Sequence, residues 1–451
     1  MKSHFRIISY ITLLFLYCIT FSKVMLAQQS SSETTREEFK ISFSERIRIE
    51  TFDNAVTLSR AAKAGSSYLR ARTSLMGQWF PSEKFEFAVK LSNEFRNYFA
   101  PTTNTFHMNE VFIDQLYFKW NTKSFLDGVL TVGRQNINLG EGFVVMDSSP
   151  LDGSRSIYFN AVKYDWNISS NNTLTLWGTY NNNNDQLPVL NGNDIDAAFI
   201  GDGTWKLTEQ NEAGGGLYYT GKMTDVNLQA YYIRKDYLKP ETLLGQVKAN
   251  VNTFGSRVNV SLSKSFSSTV EAAYQIGKYS DYNKNAYGGY AYFDYLPAFG
   301  KNILPKSFTV GAIYLSGDDP TTTDNEGWDP VFSRWPKWSE SYIYTQIKEF
   351  SGRPAYWSNL FSLYATVKFD LDPQYNFVFD YHHMMAPQAG ISSTFVGTGD
   401  TRGDLFIAKF YYKLSQNVTG HVIFEHFIPG DYYFDGANVS NWARLEVMYS
   451  L

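Results

Sequence analysis

Apolar residues recur at every second position in one segment after another of this chain. That period belongs to β-strands, whose successive side chains point to opposite faces. Phe39, Ile41, Phe43, Ile47 and Ile49 share one parity, and Lys40, Ser42, Ser44, Arg46, Arg48 and Glu50 share the other. Leu69, Ala71, Leu75 and Trp79 alternate with Tyr68, Arg70, Arg72, Ser74 and Gln78. Phe85, Phe87, Val89, Leu91 and Phe95 alternate with Glu86, Lys90, Ser92, Glu94 and Arg96, and the pattern returns at 226–232, 270–276, 361–369 and 377–381. Beyond the leader, no run approaches the roughly 18 apolar residues a transmembrane helix needs, so any membrane span is built from strands.

A soluble sandwich alternates too, and the lengths of the links separate the two cases. Long links at 53–66, 97–109, 139–156, 181–210 and 234–248 interleave with short ones at 81–84, 121–128, 167–172, 222–225 and 263–268. After Ser316 comes the loop 317–356, then a tight turn at Asp372 and Pro373, a loop from Ala386, a turn near Ser415 and a loop from Pro429. Outer-membrane barrels have short periplasmic turns and long outer loops, and strand numbers that are even. The expected fold is all-β: one transmembrane antiparallel barrel of about 18 strands over residues 37–451, in the bacterial outer membrane. The pair between Tyr279 and Ser316 has the weakest pattern, and Leu445, Val447, Tyr449 and Leu451 form the lipid row of the closing strand. A barrel that wide holds an aqueous channel unless loops fold inward.

Lys2 and Arg6 precede an apolar run from Ile7 to Thr20 and then Ala27. This is the layout of a signal peptide over 1–27, followed by a short polar segment, 28–36. The single cysteine, Cys18, lies in that leader, so the mature chain is expected to hold no disulfide or thiol site. Aromatic residues at 17%, against 19% charged, suit membrane-interface girdles, although an aromatic-cored soluble sandwich would also show them. The expected partners are the lipid bilayer, the barrel-assembly machinery and small or polymeric hydrophilic solutes. No phosphate-binding loop or basic nucleic-acid patch is visible.

On the lumen parity stand Arg46, Arg48, Arg70, Arg72, Lys90, Arg96, Arg134 and Lys163, joined later by Arg257, Lys368, Lys409 and Arg444. Glu50, Glu86, Glu94, Asp165, Glu271, Asp370, Asp380, Asp404, Glu425 and Glu446 stand among them. Two readings follow: an ionic ladder that stiffens the wall, or a basic lane that attracts anions because guanidinium binds carboxylate in a planar, bidentate way.

Catalysis is the competing function class. His382 and His383 are adjacent and point to opposite sides of one strand, with no nucleophile at a fixed spacing. Asp318, Asp319 and Asp324, with Asn325, Glu326 and Asp329, offer oxygen ligands to Ca²⁺ in an outer loop, without EF-hand spacing; a solvated loop explains them as well. A third reading has the loop 317–356 plug the lumen, with Trp328, Trp335, Trp338 and Trp357 packing it to the wall or stacking on sugars.

Several passages carry a family resemblance. Val132-Gly133-Arg134-Gln135, Gly140, Asp152-Gly153-Ser154-Arg155-Ser156 and Phe159-Asn160-Ala161-Val162 resemble the alginate export family of outer-membrane proteins. Ser316-Gly317-Asp318-Asp319-Pro320 is similar to its loop entry, and Phe427-Ile428-Pro429-Gly430-Asp431-Tyr432 to the end of its penultimate strand. The resemblance implies a diffusion pore for an anionic polysaccharide with an arginine-lined constriction. Carried over by position, Arg70, Arg72, Arg134, Arg155 and Arg444 would set selectivity, with Glu94, Asp114 and Asp152 as counter-charges. A general porin, or a loop-plugged barrel with a binding or enzymatic role, remains the alternative.

Overall fold

The computed structural model describes residues 37–54, 58–62, 65–103, 111–123, 126–146, 158–182, 185–190, 211–239, 248–297, 305–319, 321–333, 337–341, 358–389 and 397–451. The chain divides into residues 1–38, of which Glu37 and Glu38 are described, and the body from Phe39 to Leu451. That body is a closed barrel. Its strands are β1 (Glu38–Asp53), β2 (Ser66–Ser82), β3 (Phe85–Ala100), β4 (Val111–Asn121), β5 (Gly128–Gln135), β6 (Phe159–Ser169), β7 (Asn172–Asn181), β8 (Asn211–Lys222) and β9 (Val226–Lys239). The circuit continues through β10 (Ala249–Ser261), β11 (Phe266–Tyr279), β12 (Tyr282–Tyr295), β13 (Ser307–Leu315), β14 (Leu360–Asp372), β15 (Tyr375–Met385), β16 (Thr401–Lys413), β17 (Val418–Pro429) and β18 (Ser440–Ser450). Each strand pairs antiparallel with its sequence neighbour, and β1 closes on β18 in a register running from Ser44↔Ser450 to Asp53↔Asn441. The eighteen-strand expectation holds.

Alternation decides which face meets lipid. Ile49, Leu75, Val89, Val270, Leu363 and Leu445 are all exposed on the outer face, while the opposite parity is buried. Short turns repeat one device, in which a side-chain oxygen accepts the backbone N–H two residues on. Ser82, Ser169, Ser263 and Ser415 do so through the hydroxyl, and Asp372 accepts from Gln374 at 2.6 Å. Inside, two glycines make room for tyrosine rings. A Cβ on Gly255 would lie 2.4 Å from the Tyr231 ring, and one on Gly311 2.5 Å from that of Tyr364.

One link departs from the expected rhythm. The outer connection of β11 to β12 is only Ser280 and Asp281, with Ser280 in the left-handed region at φ 56°, whereas the inner link from β12 to β13 runs over 296–306. The physical reason is on the outer side, where the loop after β13 takes the place of a long link. Asn325 donates to Asn283 O at 2.7 Å, and Asn285 donates to Asn325 O at 3.0 Å, so the loop adds itself to the end of β12.

That loop and the segment after β5 fold into the lumen. Phe332–Ser333 pairs in parallel with Val145–Met146, and Phe143 stacks on Trp328 at 5.0 Å. Together with Ile137, Val144 and Val331 they form a core against the inner wall at Phe159, Trp177, Ile233, Val251, Ile313 and Leu315. Gln275 holds the loop backbone as a neighbouring strand would, accepting from Asp329 N and donating to Asp329 O. Buried Lys235 donates to Val331 O at 2.5 Å and pairs with Glu212 at 3.0 Å.

Candidate functional site

The lumen has two contrasting sides. β5 to β14 carry the apolar core just described, and β18, β1, β2 and β3 carry an arginine band. In the band Arg48 Nε lies 2.5 Å from Glu446, Arg70 Nε 2.5 Å from Glu94, and Arg72 Nη2 2.9 Å from Asp114, which also takes Lys90 at 2.9 Å and Ser92 Oγ at 3.0 Å. Arg46 reaches Glu94 at 3.5 Å, while Glu50 joins Arg444 at 3.4 Å to Arg70 at 3.6 Å. Register sets Arg70 directly opposite Arg96, an arrangement of like charges that is unfavourable unless carboxylates sit between the strands. Arg96 lies over the Tyr68 ring at 5.1 Å. Toward the long-loop end a rim of Phe52, Tyr68, Tyr98 and Trp442 covers the band, with successive ring centroids 5.2 to 6.2 Å apart.

A strap crosses between the two sides. Lys337 binds Glu141 at 2.9 Å, and Glu141 in turn accepts from Tyr292 at 2.7 Å and from Arg257. Two to four residues on, Glu425 of β17 accepts from Ser339 Oγ at 2.6 Å, Glu340 N at 2.7 Å and Ser341 N at 3.1 Å. Glu340 also binds Arg444 at 2.8 Å. Residues 337–341 therefore tie the β10–β12 wall to the arginine band and narrow the lumen between them. Trp338 packs against Tyr290 in this strap, so the packing reading of that tryptophan holds; Trp335, Trp357 and the loop beyond 341 lie outside the described residues.

Burial pushes the Glu141 carboxyl up, but Lys337, the Tyr292 hydroxyl and Arg257 outweigh it and hold it at about 2, against 4.5. A carboxyl depressed in the folded state stabilises fully above its unfolded value and loses that contribution as pH falls through the folded one. The strap should thus stay latched from neutral pH down to about 4.5 and release toward about 2. Single-channel recordings at stepwise lower pH should keep one conductance level to about pH 4.5. A new open level already between neutrality and that point would remove Glu141 as the latch.

Among the sequence-chosen residues, Arg46, Arg48, Arg70, Arg72, Arg96 and Arg444 come together with Glu94 and Asp114. Arg134 does not join them. Register aligns it with Leu116 and gives it the parity of Leu130 and Val132, whose row is the outer one. It is buried in the wall seam, bonded to both oxygens of Asp185 at 2.7 and 3.2 Å and to Ile113 O, with Tyr158 stacked 3.9 Å away. Arg134→Ala would leave the buried Asp185 carboxylate to the Tyr158 hydroxyl and Leu187 N without its paired guanidinium, at a cost of about 3–5 kcal/mol. Urea unfolding in lipid should show this loss while the reversal potential stays at the wild-type value. Asp404 is likewise misplaced by the lumen reading: it shares the parity of Phe406 and Phe410, and bonds His383 Nδ1 at 2.9 Å and Tyr381 OH at 2.7 Å on the outer face. Arg155 and Asp152 lie outside the described residues.

The carboxylates of the outer loop are engaged one by one. Asp318 caps Glu326 N at 2.8 Å, Asp319 caps Thr321 N at 2.9 Å, and Asp324 accepts from Asn283 at 3.1 Å, so the carboxylates are spent separately on turns. Among the described residues no three metal-ligating groups converge. The histidine reading missed Ser362, whose Oγ lies 3.2 Å from His382 Nδ1. Both are buried, and the Tyr364 ring stacks on His382. Sequence reasoning also missed Glu141, Asp185, Lys337 and Glu340, all on loops whose docking no strand period encodes. Two of the motif residues have structural partners: Ser316 accepts and donates at the root of the inward loop, and Tyr432 covers Arg402, which donates to Asn359 O at 2.9 Å.

Comparison with known proteins agrees with this architecture. OpdO of Pseudomonas aeruginosa superposes with a TM-score of 0.57 at 13% identity, covering 92% of this chain and 97% of that one. OpdL of the same organism gives 0.56 at 12%, covering 92% and 99%, and OccAB4 of Acinetobacter baumannii 0.55 at 10%, covering 93% and 100%. These likenesses concern the fold. No curated protein matches. The alginate export profile matches residues 37–441. A closed barrel with an apolar outer belt, spanning that match, is an outer-membrane channel, and the chain belongs to the alginate export family.

Proposed function

We propose that the barrel passes an anionic, alginate-like polysaccharide or its oligosaccharides by passive diffusion along the arginine band. The charge balance of the band carries this reading. Six guanidinium groups and Lys90 face the carboxylates of Glu50, Glu94, Asp114 and Glu446, with Glu340 of the strap as a fifth. The excess is positive, and a low-dielectric wall focuses its field on the path. Uronate carboxylates suit guanidinium donors, and no cofactor or catalytic group is needed. Insertion is assigned to the barrel-assembly machinery, to which β18 offers its outer row ending at Tyr449.

A general porin is the second reading, favoured by one observation: most of these arginines already hold a carboxylate, which weakens the field a solute meets. Planar-bilayer recording separates the two. Anion-selective current blocked by a polyuronate but not by a neutral dextrin, with block weakened in Arg72→Ala, supports the polysaccharide channel. Cation-selective or indifferent current assigns it to the general porins, and absence of current to the plugged barrel.

A further inference from the structure

Four consecutive strands place an aromatic strip on the inner wall, away from the arginine band. Register aligns Tyr292 of β12 with Gly311 of β13, Gly311 with Tyr364 of β14, and Tyr364 with His382 of β15. The glycine is what joins the two tyrosines. A Cβ on Gly311 would fall 2.5 to 2.6 Å from the hydroxyl end of the Tyr364 ring, so that ring lies across β13 toward Tyr292. Tyr290 runs parallel to Tyr292 with centroids 6.1 Å apart, and His382 stacks on Tyr364 at 5.2 Å. Tyr290 and His382 are each 3% exposed, whereas Tyr292 and Tyr364 are only partly buried. The Tyr364 hydroxyl makes no hydrogen bond among the described residues.

The strip begins at the strap, where Trp338 meets Tyr290 edge-on at 5.9 Å and Tyr292 donates to Glu141. In the next inward row toward the short turns, register aligns Asp294, Thr309, Thr366 and Asp380. Asp380 pairs with Lys409 at 2.9 Å, but Asp294 is held among the described residues by hydroxyls, Thr309 at 2.5 Å and Ser267 at 3.4 Å. A carboxylate turned to this wall therefore meets like charge, and one turned to the band meets guanidinium.

We infer that Tyr364, with Tyr292 beside it, reads the sugar ring of the cargo, an inference that rests on the polysaccharide reading above. A uronate pyranose carries its carboxylate and hydroxyls around its edge and presents C–H bonds on its faces. The face of an aromatic ring is the negative part of its quadrupole and attracts such C–H groups. Guanidinium takes a carboxylate from any source. The band therefore selects charge, and the strip separates a uronate from an anion that has no sugar ring. Asp294 orients the chain by turning its carboxylate edge away from the rings.

Planar-bilayer recording of the whole channel tests this with two blockers of equal carboxylate number, an oligouronate and an oligoglutamate. Tyr364→Leu should weaken block by the oligouronate several-fold, while block by the oligoglutamate and the reversal potential stay at wild-type values. Tyr364→Phe, which keeps the ring, should keep the oligouronate block. Gly311→Ala reaches the same residue by another route, since its methyl displaces the ring without removing it, and it should weaken the same block. Heat-modifiability gels establish that each variant is folded. Equal loss with both blockers in Tyr364→Leu, or no loss with either, would overturn the inference. Should Tyr364→Leu not fold, an intact oligouronate block in Gly311→Ala overturns it instead. If Arg72→Ala weakens the oligouronate block where Tyr364→Leu does not, the polysaccharide reading stands and the role of Tyr364 alone falls. An oligouronate that fails to block the wild type removes both.

Discussion

Glu94→Gln should produce a barrel that is less stable by about 3–5 kcal/mol and more anion-selective than wild type, because it removes the shared partner of a buried cation cluster. Glu94 holds Arg70 at 2.5 Å and Arg46 at 3.5 Å with its side chain 3% exposed, and Arg96 stands opposite Arg70 in register. Without the carboxylate these guanidinium groups keep their charge and face one another across two strand spacings. The remaining neighbour, Glu50, is already divided among Arg70, Arg444 and Arg48. The two effects are read separately: unfolding midpoints in urea report the stability, and zero-current potentials in a salt gradient report the selectivity. The double change Arg70→Gln with Glu94→Gln should regain part of the lost stability, since the coupling of adjacent buried groups is what such a cycle measures. A barrel as stable as wild type with an unchanged potential would mean that water in the lumen already screens the cluster.

The fold was largely legible because lipid on one side and water on the other impose a period of two on every strand, and link lengths then order the strands. The arginine band was legible for the same reason, since Arg46 and Arg48, or Arg70 and Arg72, sit two apart on one face. Parity failed where the wall is interrupted. β4 pairs with β5 only from Leu116 to Asn121, and Val189–Leu190 pairs with its upper end, so Arg134 serves a seam rather than the lumen. The strap could not be read at all. Ser339, Glu340 and Ser341 show no period, and their roles arise from reaching a carboxylate more than eighty residues away in sequence. The tryptophans were the available signal: Trp328 marks the docked root of the loop and Trp338 the start of its crossing.

The strap is where a small change should have the largest effect on conduction. Removing both anchors in Glu141→Ala with Glu425→Ala should raise single-channel conductance several-fold and add gating noise. Each anchor accepts several hydrogen bonds, and bonds to a charged acceptor are worth about 1.5–3 kcal/mol apiece. The loop's root is held differently. Trp328, Val331 and Phe332 are 3%, 0% and 2% exposed, and burial of such side chains contributes about 1.5–3 kcal/mol each. That apolar footing survives the double substitution, so residues 316–333 should remain docked while 337–341 leave the lumen. Unfolding measurements should accordingly change much less than conductance does. Arg444 would lose Glu340 and Arg257 would lose Glu141, which adds net positive charge beside the path and should move the reversal potential further toward the anion. If conductance stays at the wild-type level in the double variant, the strap does not set the narrowest section, and the limiting constriction lies at the aromatic rim of Phe52, Tyr68, Tyr98 and Trp442 instead.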